Sequence, residues 1–128
     1  MHREGPAPAF IYERSLAHLN GPQFWKARKI LMEAGLHPEM EVRFGPYRVD
    51  LLLKGVPARM WQSFDKSKRR VRLFGRMVGP IPRGHVLAIE IDGPHHEGNG
   101  DSRRDAYLLE RHKVYVVRFD TSEIQALM

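Results

Sequence analysis

Two strongly apolar runs each carry acids that a buried strand cannot hold unaided, and they constrain the fold more than any other feature of the chain. In Tyr47-Arg48-Val49-Asp50-Leu51-Leu52-Leu53 one carboxylate stands among valine and leucines, where an unpaired charge is costly to bury. Asp50 therefore needs a partner, either an arginine in a plain structural pair or a cation. Val86 to Asp92 repeats the pattern. With the period of two that a strand imposes, Leu87, Ile89 and Ile91 point one way while Ala88, Glu90 and Asp92 point the other. Two residues along a strand advance about 6.6 Å, so Glu90 and Asp92 would border one site rather than chelate side by side. Asp50, delivered by a neighbouring strand, would complete an oxygen-rich cluster suited to a hard divalent cation. The chain has no cysteine, so thiolate zinc sites, iron–sulfur clusters, disulfide scaffolds and cysteine nucleophiles are excluded and only oxygen and nitrogen ligands remain.

Directly after the second acidic strand, Gly93-Pro94-His95-His96 forms a turn that presents two imidazoles beside the carboxylates, each able to ligate a metal or move a proton. Asp101 and Arg104 open the following helix on adjacent turns of one face. There Arg104 would clamp a phosphate oxygen and Asp101 would orient a histidine or a water. The plainer account makes Asp101 or Ser102 an N-cap, with Asp105 closing a capping box.

The remaining signals place these residues in a single domain spanning 1–128, the prior for this length. Residues 7–19 mix helix formers with Pro8 and read as a short helix ending near Asn20 and Gly21. Pro22 then suits a first helical turn, Phe24, Ala27, Ile30, Leu31 and Ala34 keep helical spacing, and Gly35 is a natural stop. Glu41 to Phe44 alternates, Gly45-Pro46 turns, and Tyr47 to Leu53 returns as an antiparallel strand. After a basic insertion at about 54–84, with a strand or hairpin around Val71 to Phe74, come the strand Val86 to Asp92, a helix from Asp101 to His112 and a strand from Val114 to Phe119. Thr121 or Ser122 would cap a last short helix. The expected class is α/β, a mixed sheet with helices, in the order helix, strand, strand, basic insertion, strand, helix, strand, helix.

Charge is distributed as unevenly as the acids are placed. The chain carries a formal +6, and residues 54–83 alone hold nine basic residues (Lys54, Arg59, Lys66, Lys68, Arg69, Arg70, Arg72, Arg76, Arg83) against the single acid Asp65. The rest of the chain is slightly acidic. Interleaved with Trp61, Phe64 and Phe74, this segment suits phosphate contacts and stacking against bases. The plainer account is a solvated basic face whose long stems cover apolar surface. No apolar leader opens the chain and no run approaches the ~18 apolar residues of a membrane span, so the expectation is a cytoplasmic protein that does not enter membranes.

The strings Tyr-Arg-Val-Asp-Leu-Leu, Ile-Glu-Ile-Asp-Gly-Pro-His-His, Asp-Ser-Arg-Arg-Asp-Ala-Tyr-Leu-Leu and Val-Tyr-Val-Val-Arg-Phe, in this order, resemble the very-short-patch-repair-like branch of the PD-(D/E)xK nuclease superfamily, over about Pro22 to Phe119. The resemblance implies a restriction-endonuclease-like core and Mg²⁺- or Mn²⁺-dependent hydrolysis of DNA phosphodiesters, by nicking or double-strand cleavage. It makes Asp50 the metal-binding aspartate and Glu90 the second acid, with Asp92 a further candidate ligand standing where the superfamily's usual motif has lysine. Activation of the attacking water then passes to His96, His95 or a second metal, and Asp101 and Arg104 match the helix that follows. Gln23 stands where relatives in that family tend to carry a glutamate near the start of the first helix. Lys54, Arg59, Lys66, Lys68, Arg69, Arg70, Arg72 and Arg76 are the expected DNA contacts. A nuclease of this size would pair with itself, nick one strand or be recruited by another protein. The alternatives are a non-catalytic nucleic-acid-binding module on the same fold and an enzyme that cleaves RNA.

Overall fold

The computed structural model describes residues 21–92 and 99–127, with the side chains of residues 99–101 left out of account. Eight central leucine, valine and isoleucine positions of the acidic strands and their neighbours dictate the arrangement, because each strand is apolar on both faces and must be covered twice. The chain runs α1 (Gly21–Glu33), β1 (Glu39–Phe44), β2 (Tyr47–Leu53), a 3₁₀ turn (Ala58–Met60), β3 (Trp61–Ser63), β4 (Lys68–Leu73), β5 (Arg76–Pro82), β6 (Val86–Asp92), α2 (Asn99–His112), β7 (Val114–Asp120) and α3 (Thr121–Gln125). A four-stranded sheet has the order β1-β2-β6-β7, and β3-β4-β5 form a second sheet. β1 and β2 are antiparallel, as are β2 and β6, while β6 and β7 run parallel through the α2 crossover.

Each face of the mixed sheet has its own core. On one side Leu51, Leu53, Leu87, Ile89, Ile91 and Phe119 pack with Phe24, Ala27 and Leu31 of α1, Ile124 of α3, and Val71, Leu73, Val78 and Ile81 of the second sheet. On the other, Leu52, Ala88 and Val114 pack with Leu108 of α2. Tyr107 of α2 also closes over the β1–β2 turn. Gly45 there has φ +60°, and a Cβ at that position would stand 2.5 Å from the Tyr107 hydroxyl, so neither the conformation nor the space admits a side chain.

The basic insertion is thus an antiparallel three-stranded sheet whose inner side chains complete the larger core. Its β4–β5 register shifts between Arg69 and Val71, opposite the stretch where Gly79 (φ +119°) precedes the cis-bonded Pro80. The expected helix, strands and α2 crossover are present at nearly the predicted bounds. The α3 cap is neither Thr121 nor Ser122 but the residue before them: Asp120 takes the N-cap position, and Glu123 accepts its backbone N–H at 2.9 Å. The helix expected over 7–19 lies outside the described residues. No described helix is long and apolar enough to cross a membrane.

Candidate functional site

The two acids of the apolar strands meet. β2 and β6 pair Leu53 with Leu87, Leu52 with Ala88 and Leu51 with Ile89, a register that sets Asp50 directly opposite Glu90 and therefore on the same face. At that point the backbone ladder stops. The Asp50 N–H donates to Glu90 Oε2 at 2.7 Å, and the Ile91 N–H donates to Asp50 Oδ2 at 3.0 Å. Each carboxylate has taken a backbone amide of the opposite strand, a charge-assisted exchange that fixes both side chains where the sheet opens. Asp50 is 5% and Glu90 6% exposed.

The row extends across the sheet. The β1–β2 register (Met40 with Leu51, Val42 with Val49) puts Glu41 opposite Asp50, and the parallel register puts Arg118 beside Glu90. Around this row, among the described residues, three arginines pair with four acids and Asp50 stands beside them, held by a backbone amide. Arg48 Nη1 contacts both oxygens of Glu41, Arg104 Nη1 lies 3.1 Å from Glu90 Oε1, and Arg118 reaches Asp92 at 3.3 Å and grips Asp105 with both terminal nitrogens. Glu41, Asp50, Glu90, Asp92 and Asp105 against Arg48, Arg104 and Arg118 leave two negative charges in excess when every acid is ionised.

Physical chemistry offers two ways to remove that excess, protons or a divalent cation. In the absence of a cation, burial pushes the Asp50 carboxyl up to about 6, with nearby Glu41 and Asp92 adding to the effect and the Ile91 amide and Arg48 opposing it. Burial likewise pushes Glu90 up to about 7, reinforced by Asp50 and Asp92 and opposed by Arg104 and the Asp50 amide. Two neighbouring carboxylates, both reluctant to ionise, with oxygen donors on one sheet face, fit a hard divalent cation. Among the described residues no three His, Asp or Glu side chains converge to hold an ion, so Asp50 and Glu90 would supply two ligands and solvent or substrate the rest.

Not every predicted site residue joins them. Asp92 lies on the same face, but its carboxylate is turned to Arg118. Arg104 does come to the site, where it holds Glu90. Asp105, a capping-box candidate by sequence, pairs with Arg118 instead. His95 and His96 lie outside the described residues, as does the Asp101 side chain. Gln23, which stands where the resemblance has a glutamate, donates from Nε2 to Gln125 at 2.6 Å and so ties α1 to α3. Sequence reasoning missed Glu41, Arg48 and Arg118 as neighbours of the acids. Glu41 was within reach, because a Gly45-Pro46 turn pairing Phe44 with Tyr47 already counts back to Glu41 opposite Asp50.

The basic residues divide by what they touch. Lys66, Lys68, Arg72 and Arg59 are exposed, although Arg72 also donates to the Gly75 carbonyl at 3.1 Å. Arg69 lies over the Trp61 ring at 3.9 Å and Arg70 over Phe64 at 4.3 Å. Lys54 pairs with Glu39 at 3.1 Å on the surface. Arg76 instead ties the second sheet to the first. It pairs with Glu123 at 2.9 Å, donates to the Arg118 carbonyl and stacks 4.2 Å from the Phe119 ring centroid. Comparison of the chain with protein-family models, curated proteins and solved structures returned no match.

Proposed function

We propose that this chain is a divalent-cation-dependent DNA endonuclease built on a restriction-endonuclease-like core. The observation that carries the proposal is the Asp50–Glu90 pair: two buried acids set opposite each other where the β2–β6 ladder opens, at the carboxyl end of β6, with an excess of negative charge around them. The order of helix, two strands, excursion, strand, helix and strand agrees with the order read from the sequence pattern. The carboxyl ends of the parallel strands are also where open α/β sheets usually place their sites.

Asp50 and Glu90 would hold Mg²⁺ or Mn²⁺, which when bound supplies polarisation of the phosphoryl oxygen and a more acidic water. The chain's own residues set the conditions for that binding. The Ile91 and Asp50 amides fix the two carboxylates, so little reorganisation is required of them. Arg104 favours the ionised form of Glu90. Arg118, by gripping Asp105 and Asp92 together, locks the first turns of α2 against β6 and β7. His96 or His95 is the proposed proton carrier. Exposed Lys66, Lys68, Arg59 and Arg72 would contact DNA phosphates, with affinity that falls as salt rises.

A second reading, a non-catalytic nucleic-acid-binding module, is favoured by two specific contacts: Arg118 on Asp92, and Arg104 standing beside Glu90 as a protein-borne cation. Incubating supercoiled plasmid with the protein in Mg²⁺, Mn²⁺ or EDTA, beside Asp50→Ala and Glu90→Ala and with filter binding in parallel, separates the two. Metal-dependent nicking or linearisation lost in both variants while binding survives supports the nuclease. Binding without cleavage supports the module, and cleavage of a matched RNA in preference to DNA would move the assignment to an RNA-cutting enzyme.

A further inference from the structure

Among the described residues, three other than glycine adopt positive φ: Glu41 (+56°), Phe74 (+51°) and Lys113 (+56°). Two have local reasons. Phe74 precedes Gly75 in the β4–β5 turn, and Lys113 follows α2 where a helix commonly ends in the left-handed region. Glu41 stands in the middle of β1, where no turn or cap calls for it, and such conformations persist only when the surroundings over-determine them. The β1–β2 pairs on either side of it keep one register, Met40 with Leu51 and Val42 with Val49, so no residue has been inserted. The kink leaves the register intact while the Glu41 side chain is directed onto a neighbour. That side chain meets Arg48: both Glu41 oxygens lie on Arg48 Nη1, and the two side chains are 14% and 24% exposed.

Arg48 is two residues before Asp50 on β2, close enough that its charge acts on both Asp50 and Glu90. A guanidinium on so long an arm has a natural destination in the unneutralised Asp50 carboxylate. Closed on Asp50, it would occupy that carboxylate as Arg104 occupies one oxygen of Glu90. We propose that Glu41 is a positioning residue that tethers the Arg48 guanidinium away from Asp50 and so keeps that carboxylate open to a divalent cation. The inference rests on the reading of Asp50 and Glu90 as a cation site, and it adds a residue that acts on the site through another.

The test is Mn²⁺ binding by the full chain, read from the electron paramagnetic resonance signal of free Mn²⁺, in a cycle of wild type, Glu41→Gln, Arg48→Met and the double variant. Simple electrostatics makes the two substitutions additive: one removes a negative charge, the other a positive one. Tethering makes them coupled. Arg48→Met is expected to change affinity only a fewfold in wild type but to restore on the order of tenfold in the Glu41→Gln background, with Glu41→Asp close to wild type. Additive effects, or a Glu41→Gln affinity unchanged from wild type, overturn the tether. Glu41→Gly supplies a control that a structural role alone would not pass. Glycine accepts the positive φ, so this variant should melt no lower than Glu41→Gln while binding Mn²⁺ as weakly. Wild-type protein that binds no Mn²⁺ removes the cation site itself, a result distinct from additivity and one that takes the tether with it.

Discussion

The two charged regions of this molecule solve opposite problems by opposite means. On the α2 face of the mixed sheet, acids are buried, set by register and held by backbone amides and a few arginines. On the second sheet, the cations stay at or near solvent and lean their planar heads on aromatic rings. Buried carboxylates cannot be moved without cost, so their geometry is fixed before any ligand arrives. The exposed basic side chains Arg59, Lys66, Lys68 and Arg72 can be rearranged at less cost, which would suit a surface proposed to meet a phosphate backbone in many registers. On the proposed function the molecule would separate fixed chemistry from adaptable affinity, and substitutions should fall into two classes accordingly.

The largest effect should come from the acids. Asp50→Ala or Glu90→Ala is expected to lower plasmid nicking at least a hundredfold, in line with the several kcal/mol a bound metal supplies to such reactions, with DNA binding changed less than about threefold. Equal loss of both would break the separation. Next come the residues that hold the row together. Leu108→Ala should destabilise the fold by about 2–5 kcal/mol, read in urea unfolding, because Leu108 is the fully buried α2 residue of the core directly beside the acids.

A third test follows from proton linkage. The folded-state carboxyls of Asp50 and Glu90 titrate near 6 and 7, above their unfolded values, so the folded state binds more protons between about pH 4 and 7. Stability without metal should therefore fall as pH rises through that window. The melting temperature at pH 8 should lie several degrees below that at pH 5, with Mg²⁺ or Mn²⁺ restoring it at pH 8. Asp50→Asn, whose amide oxygen can still accept the Ile91 N–H, should flatten the dependence. The smallest effects belong to the basic sheet. Lys66→Gln, Lys68→Gln and Arg72→Gln should each reduce the slope of log affinity against log salt by about 1 and shift stability by less than about 0.5 kcal/mol. Lys54→Ala, in an exposed pair with Glu39, should do neither beyond about 0.5 kcal/mol.

Alternation made Glu90 legible in the sequence, and an isolated charge among leucines did the same for Asp50, because burial of an acid must be answered somewhere in the fold. The helices and the strands of the mixed sheet announced themselves by period and by Pro22, Gly35 and Gly45-Pro46. Arg118 could not be read in this way, since the offset between parallel strands β6 and β7 depends on how α2 crosses over, and no local signal sets it. The true partners of Arg104 and Asp105 stayed hidden for the same reason. Both residues looked like helix-start chemistry, and tertiary contacts with Glu90 and Arg118 prevailed. The second sheet was only half legible, because β3 is very short and glycine and proline interrupt the alternation of β5.

Leu53, where the chain leaves the mixed sheet, and Leu87, the second residue after it returns, are cross-strand neighbours. An excursion that starts and finishes at adjacent points can lengthen or shorten at its turns while Asp50 still faces Glu90, since closing a longer loop costs little more than closing a shorter one, provided Val71, Leu73, Val78 and Ile81 stay in the larger core. The number of residues between the two acids is consequently a poor signature for chains of this design. What a search should preserve is a count outward from the hairpin pairing, acid opposite acid, whatever length of polypeptide has been spliced between them.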